Sequence, residues 1–181
     1  MLLQFKIQNY RSFKDEAVLS LEAQRTDDSH PDNFTAMKKD LCLKTLAIFG
    51  ANAAGKSNLF KALTAAIMTI RGSNAMNAGQ ELALMTPFMF DGVSAEQPTC
   101  FEFVFVAGEK KYVYRFSATH KKVFSEELLI YKSAKASLIF KREGQSYKYT
   151  LNSYKTQLEP IERFTGENKL FLSTASAFNC D

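Results

Sequence analysis

The first residues alternate between apolar and polar side chains, as in a half-buried strand. Leu3, Phe5 and Ile7 share one face, and the residues between them are polar. A turn-rich segment, NYRSFKDE, follows, and a second alternating run, AVLSLEA, covers residues 17–23. The pattern predicts a two-stranded hairpin, followed by a polar loop over residues 25–40.

A short apolar run and a helical pattern come after this loop. The run LKTLAIFG (43–50) predicts a strand buried on both faces of a sheet. After residue 57, apolar residues recur at steps of three and four, and Gly72 after Arg71 predicts the end of the helix. The apolar positions of this helix are Leu59, Phe60, Leu63, Ile67 and Ile70, with Ala62 and Ala66 between them.

Periodicity is weak over residues 73–98 and returns at Thr99. The weakly periodic segment predicts a loop with a short helix around GQELALM (79–85). The runs CFEFVFV, YVYRFSA, VFSEELLIYK and SLIFKR then predict an antiparallel β-meander over 99–165. Residues 166–181 are largely apolar, and we expect a helix or strand that starts a missing lobe and has no packing partner within the chain.

The composition is that of a single globular lobe, residues 1–181. Hydrophobic residues make up 46% of the chain, and 16 Phe supply bulky core material. The formal net charge of +4 permits a nucleic-acid partner without requiring one. The three cysteines are widely spaced and argue against disulfides and zinc. No signal peptide and no apolar run of about 18 residues is present, so we expect a cytoplasmic protein without membrane contact.

The turn between the predicted strand and helix carries a phosphate-binding motif. Residues 50–57 read GANAAGKS, which fits G-x-x-x-x-G-K-[ST]. Backbone N–H groups curled around a β-phosphate form a concave anion site, and the N-terminus of the following helix adds donors and a positive dipole. Gly50 and Gly55 allow the turn and the close approach of the phosphates. The alternative is a glycine-bracketed turn with solvated side chains.

ATP and Mg²⁺ are the ligands that this motif predicts. Lys56 would contact the β- and γ-phosphates as the catalytic group, and the Ser57 hydroxyl would bind Mg²⁺. The full set of candidate nucleotide-binding residues in this segment is Gly50, Ala51, Asn52, Ala53, Ala54, Gly55, Lys56, Ser57 and Asn58.

The loop and its surroundings resemble ABC-type ATPase heads, especially the RecF/SMC-like and overcoming-lysogenization-defect (OLD) ATPases. The resemblance is carried by Asn52 in the loop and by the FKIQNYRSFKD strand and turn near the start of the chain. The downstream segments PTCFEFVF, KKYVYRFSA, SEELLIYK and NKLFLSTA are similar to the antiparallel β-region of OLD-like ATPases. Ala53 stands where these loops often have glycine, a change that is tolerable if its methyl group points away from the phosphates.

This resemblance implies an α/β fold, the N-terminal lobe of a P-loop NTPase of the ABC-head type. Such a lobe has a mixed sheet, one long helix after the phosphate loop, and an antiparallel β-meander. It also implies that Arg11 lies near the nucleotide, although a solvated hairpin arginine is an equal alternative. The implied partners are a second copy in a homodimer, or a complementary ATPase lobe, and DNA, in phage defence or DNA repair.

Several parts of an ABC-type site lack a good match in the sequence. PFMFDG (87–92) resembles the apolar run that ends in Asp-Glu only weakly, and LSTAS (172–176) lacks the glycines of an LSGGQ-like signature. Because the hydrolytic base is missing, we expect ATP binding with little turnover by this chain alone. The remaining candidates, for the switch histidine and the Q-loop glutamine, are His30, His120, Gln80 and Gln97.

Two other functional classes are weighed against this interpretation. A P-loop kinase or GTPase would need a motif such as N-K-x-D, and GENK (166–169) reverses that order. A non-enzymatic nucleic-acid module would use basic residues of the meander beside tyrosines, although solvated hairpin ends and core aromatics are the favoured explanation of these residues. The residues concerned are Lys110, Lys111, Lys121, Lys122, Lys141 and Arg142, with Tyr112, Tyr114 and Tyr131.

Glu126 and Glu127 are adjacent in a predicted strand, so their side chains should face opposite ways. We expect a surface charge and a salt-bridge partner rather than an acid/base pair.

Overall fold

The computed structural model describes residues 1–23, 30–37, 40–132 and 135–180. A seven-stranded sheet with the order β2-β1-β5-β6-β7-β8-β9 dominates it, and a two-stranded sheet contains β3 and β4. The strands are β1 (Leu2–Gln8), β2 (Ala17–Ser20), β3 (Phe34–Met37), β4 (Asp40–Leu43), β5 (Thr99–Ala107), β6 (Lys110–Ala118), β7 (Val123–Tyr131), β8 (Ala136–Glu143) and β9 (Ser146–Lys148). The helices are α1 (Lys56–Gly72), α2 (Gly92–Ala95), α3 (Asn152–Glu162) and α4 (Phe171–Ala177).

The predicted hairpin is confirmed, and so is the predicted meander as far as β9, but the rest of the range 99–165 contains helix α3 instead of strands. Strands β1 and β2 pair antiparallel, with Phe5 opposite Leu19. Leu3, Phe5 and Ile7 are at most 1% exposed, as their alternation predicts. Strands β5 to β9 follow one another as antiparallel neighbours, and β1 adds to them through β5.

The predicted loop over residues 25–40 is wrong in part. Residues 24–29 and 38–39 lie outside the described residues, but β3 and β4 pair within and beyond this range. Strand β4 also bonds to the chain that follows β2, since Ala23 N–H donates to Leu41 O and Leu43 N–H donates to Leu21 O. Each of these strands has four residues, too few to show a clear alternation of apolar and polar side chains. Contacts distant in sequence stabilise them, and the sequence pattern does not reveal such contacts.

The predicted buried strand over residues 43–50 is wrong. Residues 44–50 follow β4 without helix or strand, and Phe49 is 90% exposed. A strand buried on both faces needs paired neighbours in a sheet. All described strand pairs are antiparallel and none includes residues 44–50, so the predicted mixed sheet is wrong as well.

Helix α1 has the predicted end at Gly72, and the predicted positions Ala62 and Ala66 are buried. The buried residues are Ala62, Ala65, Ala66 and Thr69. Phe60 and Ile67, which the periodicity places in the core, are 57% and 39% exposed. The alanines belong to the same core cluster as the large aromatic residues of the sheet, among them Phe5 and Phe101. Small side chains let the helix lie close to these rings. Leu59, Leu63 and Ile70 pack against the same core, as predicted, and Phe60 and Ile67 lie on the outer face.

The segment between α1 and β5 is held by buried amide side chains. The short helix predicted at 79–85 is absent, and the segment's α-helix is α2. Asn168 donates from its side chain to the carbonyls of Asn77 and Gln80, at 2.8 Å each. Asn9 attaches the later part of the segment in a similar way. Isolated polar residues of this kind have no periodicity by which they can be predicted.

The prediction that residues 166–181 lack a packing partner in the chain is wrong. Leu170 and Phe171 at the start of α4 are fully buried. The ring of Phe171 lies 4.9 Å from that of Phe140 and 4.8 Å from that of Tyr147, measured between centroids. Helix α4 therefore completes the core on the β8–β9 side of the sheet.

Glu126 is 1% exposed, so a surface charge is wrong for it, while the predicted salt bridge is confirmed by its ion pair with Arg142. Its carboxylate accepts hydrogen bonds from the N–H groups of Phe171 and Leu172 at 2.6 and 2.7 Å, and from the Tyr114 hydroxyl at 2.8 Å. Burial raises the pKa of Glu126, while these donors and Arg142 act in the opposite direction. Glu126 thus joins the sheet to the first turn of α4.

Arg142 is fully buried beside Glu126, with 3.7 Å between Nη1 and Oε2. Its guanidinium donates to the carbonyls of Gly144, Lys169 and Gly166 at 2.7, 2.6 and 3.2 Å. The hypothesis of a basic nucleic-acid surface therefore loses Arg142, because a buried side chain cannot contact a phosphate backbone.

Candidate phosphate-binding site

Residues 50–57 form an exposed loop that leads into α1. Ala53 and Gly55 have φ angles of 63° and 92°, in the left-handed region. At Gly55 a side chain would also be crowded, because an added Cβ would lie 3.3 Å from Ser12 Oγ and 3.5 Å from the Phe13 ring. The glycine at this position is required by the conformation and by the close contact.

Most backbone donors of the loop are available to a ligand. Ala54 N–H donates to Ala51 O at 3.3 Å. In the described part of the chain, no acceptor meets the other N–H groups between Asn52 and Ser57. Several unpaired N–H groups in one tight turn, at the N-terminus of a helix of 17 residues, form a site suited to a polyanion.

The side chain of Lys56 lies over this loop. Its Nζ donates to Gly50 O and to Ala51 O, at 2.6 Å each. A bound phosphate would give the ammonium group a charged acceptor in place of these two carbonyls, and hydrogen bonds between charged groups are the stronger kind. The position of Lys56 therefore fits the role that the motif predicts.

The next two residues differ in their surroundings. Ser57 is exposed at the start of α1, where its hydroxyl is accessible to a metal ion that accompanies a phosphate. The Asn58 side chain donates to Ser12 Oγ at 2.9 Å, so it is directed at the turn between β1 and β2. The fit to Mg²⁺ thus rests on Ser57, and Asn58 contacts the edge of the site.

Arg11 lies in that same turn, which borders the loop. It has a φ of 51°, and its Nε donates to the Tyr10 hydroxyl at 3.3 Å. Its side chain is exposed. Because the neighbouring Ser12 contacts Asn58, the turn that contains Arg11 lies against the start of α1. Contact between Arg11 and a nucleotide stays a prediction.

The weaker candidates form no hydrogen bond with residues 50–57 in the described part of the chain. His30 and His120 are exposed, as predicted for turn histidines, and Gln80 and Gln97 are also exposed. Residues 172–176 lie within α4, with Ser173, Thr174 and Ala175 buried.

The carboxylate of Asp91, in the PFMFDG segment, has a local structural role. It accepts from Ser94 N–H at 2.5 Å, as the N-cap of α2, and lies 2.8 Å from Lys14 Nζ. The hydrogen bonds from Lys14 and Ser94 lower the pKa of Asp91 to about 2. With this lowered pKa and its ion pair with Lys14, the Asp91 carboxylate is a weak proton acceptor, which does not suit it to the role of a hydrolytic base.

The model of the family described as "AAA domain, putative AbiEii toxin, Type IV TA system" matches residues 46–165, more than half of the chain. The chain belongs to this family. The match includes all of residues 50–57, and AAA-type P-loop ATPases bind nucleotide and usually Mg²⁺. No curated protein matches the chain. Within the described residues, no helix is long and apolar enough to span a membrane.

Sequence reasoning missed the contact of Ser12 and Phe13 with Gly55. It also missed the structural role of Asn9. This residue is 6% exposed, and its side-chain hydrogen bonds fix the turn that contains Ser12 and Phe13. One signal was present in the sequence: Asn9 precedes the turn, and asparagine tolerates the left-handed conformation better than most residues.

Proposed function

We propose that this chain is the ATP·Mg²⁺-binding lobe of an OLD/RecF-like, ABC-type ATPase. The observation that carries the proposal is the set of unpaired N–H groups between Asn52 and Ser57, together with Lys56 over the same loop. The resemblance of the N-terminal strand, turn and meander to these ATPases supports the finer assignment.

Each residue of the loop has a distinct part in this function. The N–H groups would hold the β-phosphate, and Lys56 would leave the loop carbonyls to contact the β- and γ-phosphates. Ser57 would hold the Mg²⁺, which neutralises negative charge on the polyphosphate when it is bound. Among the residues that the structure describes, none identified near the loop is suited to position a water molecule, so we expect slow or absent hydrolysis by this chain alone.

A complementary surface is proposed to cover the face around the loop. Large apolar side chains are exposed there and nearby: Phe49 at 90% and Phe60 at 57% flank the loop in sequence. Phe90, at 85%, lies in the segment before β5, which a hydrogen bond to Asn9 and an ion pair between Asp91 and Lys14 attach to the turn between β1 and β2. Contiguous exposed apolar groups mark interaction sites, and we propose that these three side chains form one. We assign it to a complementary ATPase lobe or to a second copy brought together by nucleotide.

Replacing Phe49 with Ser tests this partner surface. Because Phe49 is 90% exposed, we expect the free energy of unfolding to change by less than about 0.5 kcal/mol. ATP·Mg²⁺-dependent association, measured by analytical ultracentrifugation, should be lost. Phe124→Ser, on the exposed side of β7, is the matched control and should associate like the wild type. Equal association of Phe49→Ser and the wild type would contradict the assignment of this face to a second copy.

The proposed setting is phage defence or DNA repair. The resemblance to OLD and RecF-like ATPases supports it, and a family description that names a toxin–antitoxin system is in keeping with a defence role.

The Mg²⁺ part of the proposal is tested by Ser57→Ala. Calorimetric titration with ATP should show tighter binding by the wild type in Mg²⁺ than in a chelator, and the variant should lose most of this difference. Thr64→Ala, on the exposed face of α1, is the control and should keep it. Phosphate release measured in the same samples should stay near the uncatalysed rate. A metal effect of equal size in both variants would remove Ser57 from the site.

A further inference from the structure

The turn at residues 9–13 has an unfavourable backbone conformation. Asn9 and Arg11 have φ angles of 52° and 51°, a region that asparagine tolerates and arginine rarely adopts. Tyr10 and Phe13 exchange N–H to carbonyl hydrogen bonds of 2.8 Å each, and Arg11 N–H donates to Thr86 O at 3.0 Å. Residues keep such angles only where the surrounding structure determines them.

Asn9 attaches this turn to the segment before β5. Its side chain is almost wholly buried, and Oδ1 accepts from Phe88 N–H at 3.0 Å. Its Nδ2 is within hydrogen-bond distance of the carbonyls of Ser94, Gln97 and Pro98, at 2.8, 2.9 and 3.2 Å. One amide group thus fixes the start of the turn against several backbone positions.

The other side of the turn contacts the phosphate loop. Ser12 Oγ accepts from Asn58 Nδ2 at 2.9 Å, in the first turn of α1. Ser12 Oγ and the Phe13 ring also stand over Gly55, within 3.3 and 3.5 Å of the position that a Cβ would take. Gly55 is therefore enclosed on the side where its Hα replaces a side chain.

We propose that the 9–13 turn is a positioning element for the phosphate loop. Asn9 fixes the turn, and Ser12 and Phe13 hold Gly55 in its left-handed conformation. Gly55 is the N-cap of α1, so its dihedral angles set the directions of the Lys56 and Ser57 N–H groups. Without the contact, Gly55 can adopt other angles, because glycine is conformationally permissive. A loop already in its binding conformation avoids the ordering cost when it binds phosphate.

This inference rests on the proposed ATP binding, but one of its consequences is independent of nucleotide. The N–H groups of Asn58 and Leu59 both donate to Gly55 O, at 2.9 and 3.1 Å. If the turn holds Gly55, these two hydrogen bonds should open more often when the turn is altered. Hydrogen–deuterium exchange of peptides covering residues 56–60 reports this in the protein without nucleotide.

Two variants and one control separate positioning from general stability. Asn9→Gly keeps the left-handed backbone and removes the side-chain hydrogen bonds. Ser12→Ala changes one exposed side chain, so it folds even if Asn9→Gly does not. Asn168→Ala is the control, because Asn168 is also a buried asparagine whose side chain donates to backbone carbonyls. These carbonyls belong to Asn77 and Gln80, beyond the C-terminal end of α1 and away from the phosphate loop.

We expect faster exchange over residues 56–60 in both turn variants and wild-type exchange there in Asn168→Ala. The Kd for ATP·Mg²⁺, measured by calorimetry below the melting temperature of every variant, should rise about tenfold in Asn9→Gly, an effect typical of groups that orient a ligand-binding residue from behind. It should rise less in Ser12→Ala, and not at all in Asn168→Ala.

Three results would overturn the proposal. The first is unchanged exchange over residues 56–60 in both turn variants, and the second is faster exchange with an unchanged Kd. The third is the same acceleration in Asn168→Ala, which would indicate general loss of stability. If the wild type binds no ATP while exchange rises only in the turn variants, the proposed function fails and the role of the turn in holding Gly55 stands.

Discussion

Replacing Lys56 with Ala is expected to weaken ATP·Mg²⁺ binding by about 10- to 150-fold. This corresponds to the loss of a hydrogen bond to a charged group, about 1.5–3 kcal/mol. In the structure the Lys56 ammonium lies 2.6 Å from Gly50 O and Ala51 O, directly over the loop that would hold the phosphates. Isothermal titration calorimetry at a fixed Mg²⁺ concentration measures the change.

Lys61→Ala is the matched control for this experiment. Lys61 is an exposed lysine on the same helix, beyond its first turn, so its removal changes the net charge equally. We expect its Kd to stay within about twofold of the wild type, because screening weakens charge effects at a distance. Equal losses in the two variants would mean that Lys56 acts only through the charge of the region, and not at the phosphates.

Replacing Arg142 with Met is expected to lower the free energy of unfolding by about 3–5 kcal/mol, the range for removing one partner of a buried ion pair. The change leaves the fully buried Glu126 without its cation. It also removes the donor to the carbonyls of Gly144, Lys169 and Gly166. Urea unfolding should show a lower midpoint with an unchanged slope.

Arg115→Ala is the control for the buried pair. Arg115 contacts Glu127 and Glu102 from a side chain that is 55% exposed. Solvent-exposed pairs contribute less than about 1 kcal/mol, so this variant should unfold close to the wild-type midpoint. A loss below about 1 kcal/mol for Arg142→Met would contradict the view that the pair joins the meander to α4.

The parts of the fold that the sequence predicts well are those with strong local patterns. The β-meander alternates clearly in β5 and β6, and the cross-strand pairs Phe101–Phe116 and Phe103–Tyr114 follow from that alternation. Helix α1 has a clear glycine boundary, and the phosphate-loop motif is recognisable because its chemistry fixes glycines, lysine and serine at set positions.

The parts that could not be predicted depend on contacts distant in sequence. Residues 43–50 are apolar enough for a buried strand, but no described strand pairs with residues 44–50 and Phe49 remains exposed. The periodicity of α1 correctly predicts Leu59, Leu63 and Ile70 against the core, but only the position of the sheet shows that Phe60 and Ile67 lie outside it. Glu126 looks like a surface residue until Arg142 and the start of α4 are placed around it.

The candidate ligand-binding residues are found from the sequence motif, but the contacts that support their loop could not be predicted. Lys56 and Ser57 follow from the motif alone. The contact of Ser12 and Phe13 with Gly55 joins residues more than forty positions apart, and no periodicity connects them. This contact depends on how the β1–β2 hairpin packs against the start of α1.

The central claim is that the backbone of residues 50–57 binds the phosphates of ATP. Its most direct test is a titration of the ¹⁵N-labelled chain with ATP·Mg²⁺, followed by the amide resonances in NMR spectra. We predict saturable shifts of the resonances of Ala53, Gly55, Lys56 and Ser57, complete at one nucleotide per chain, with small changes in the β6–β7 turn. Unchanged resonances of these four residues at saturating ATP·Mg²⁺ would contradict the claim.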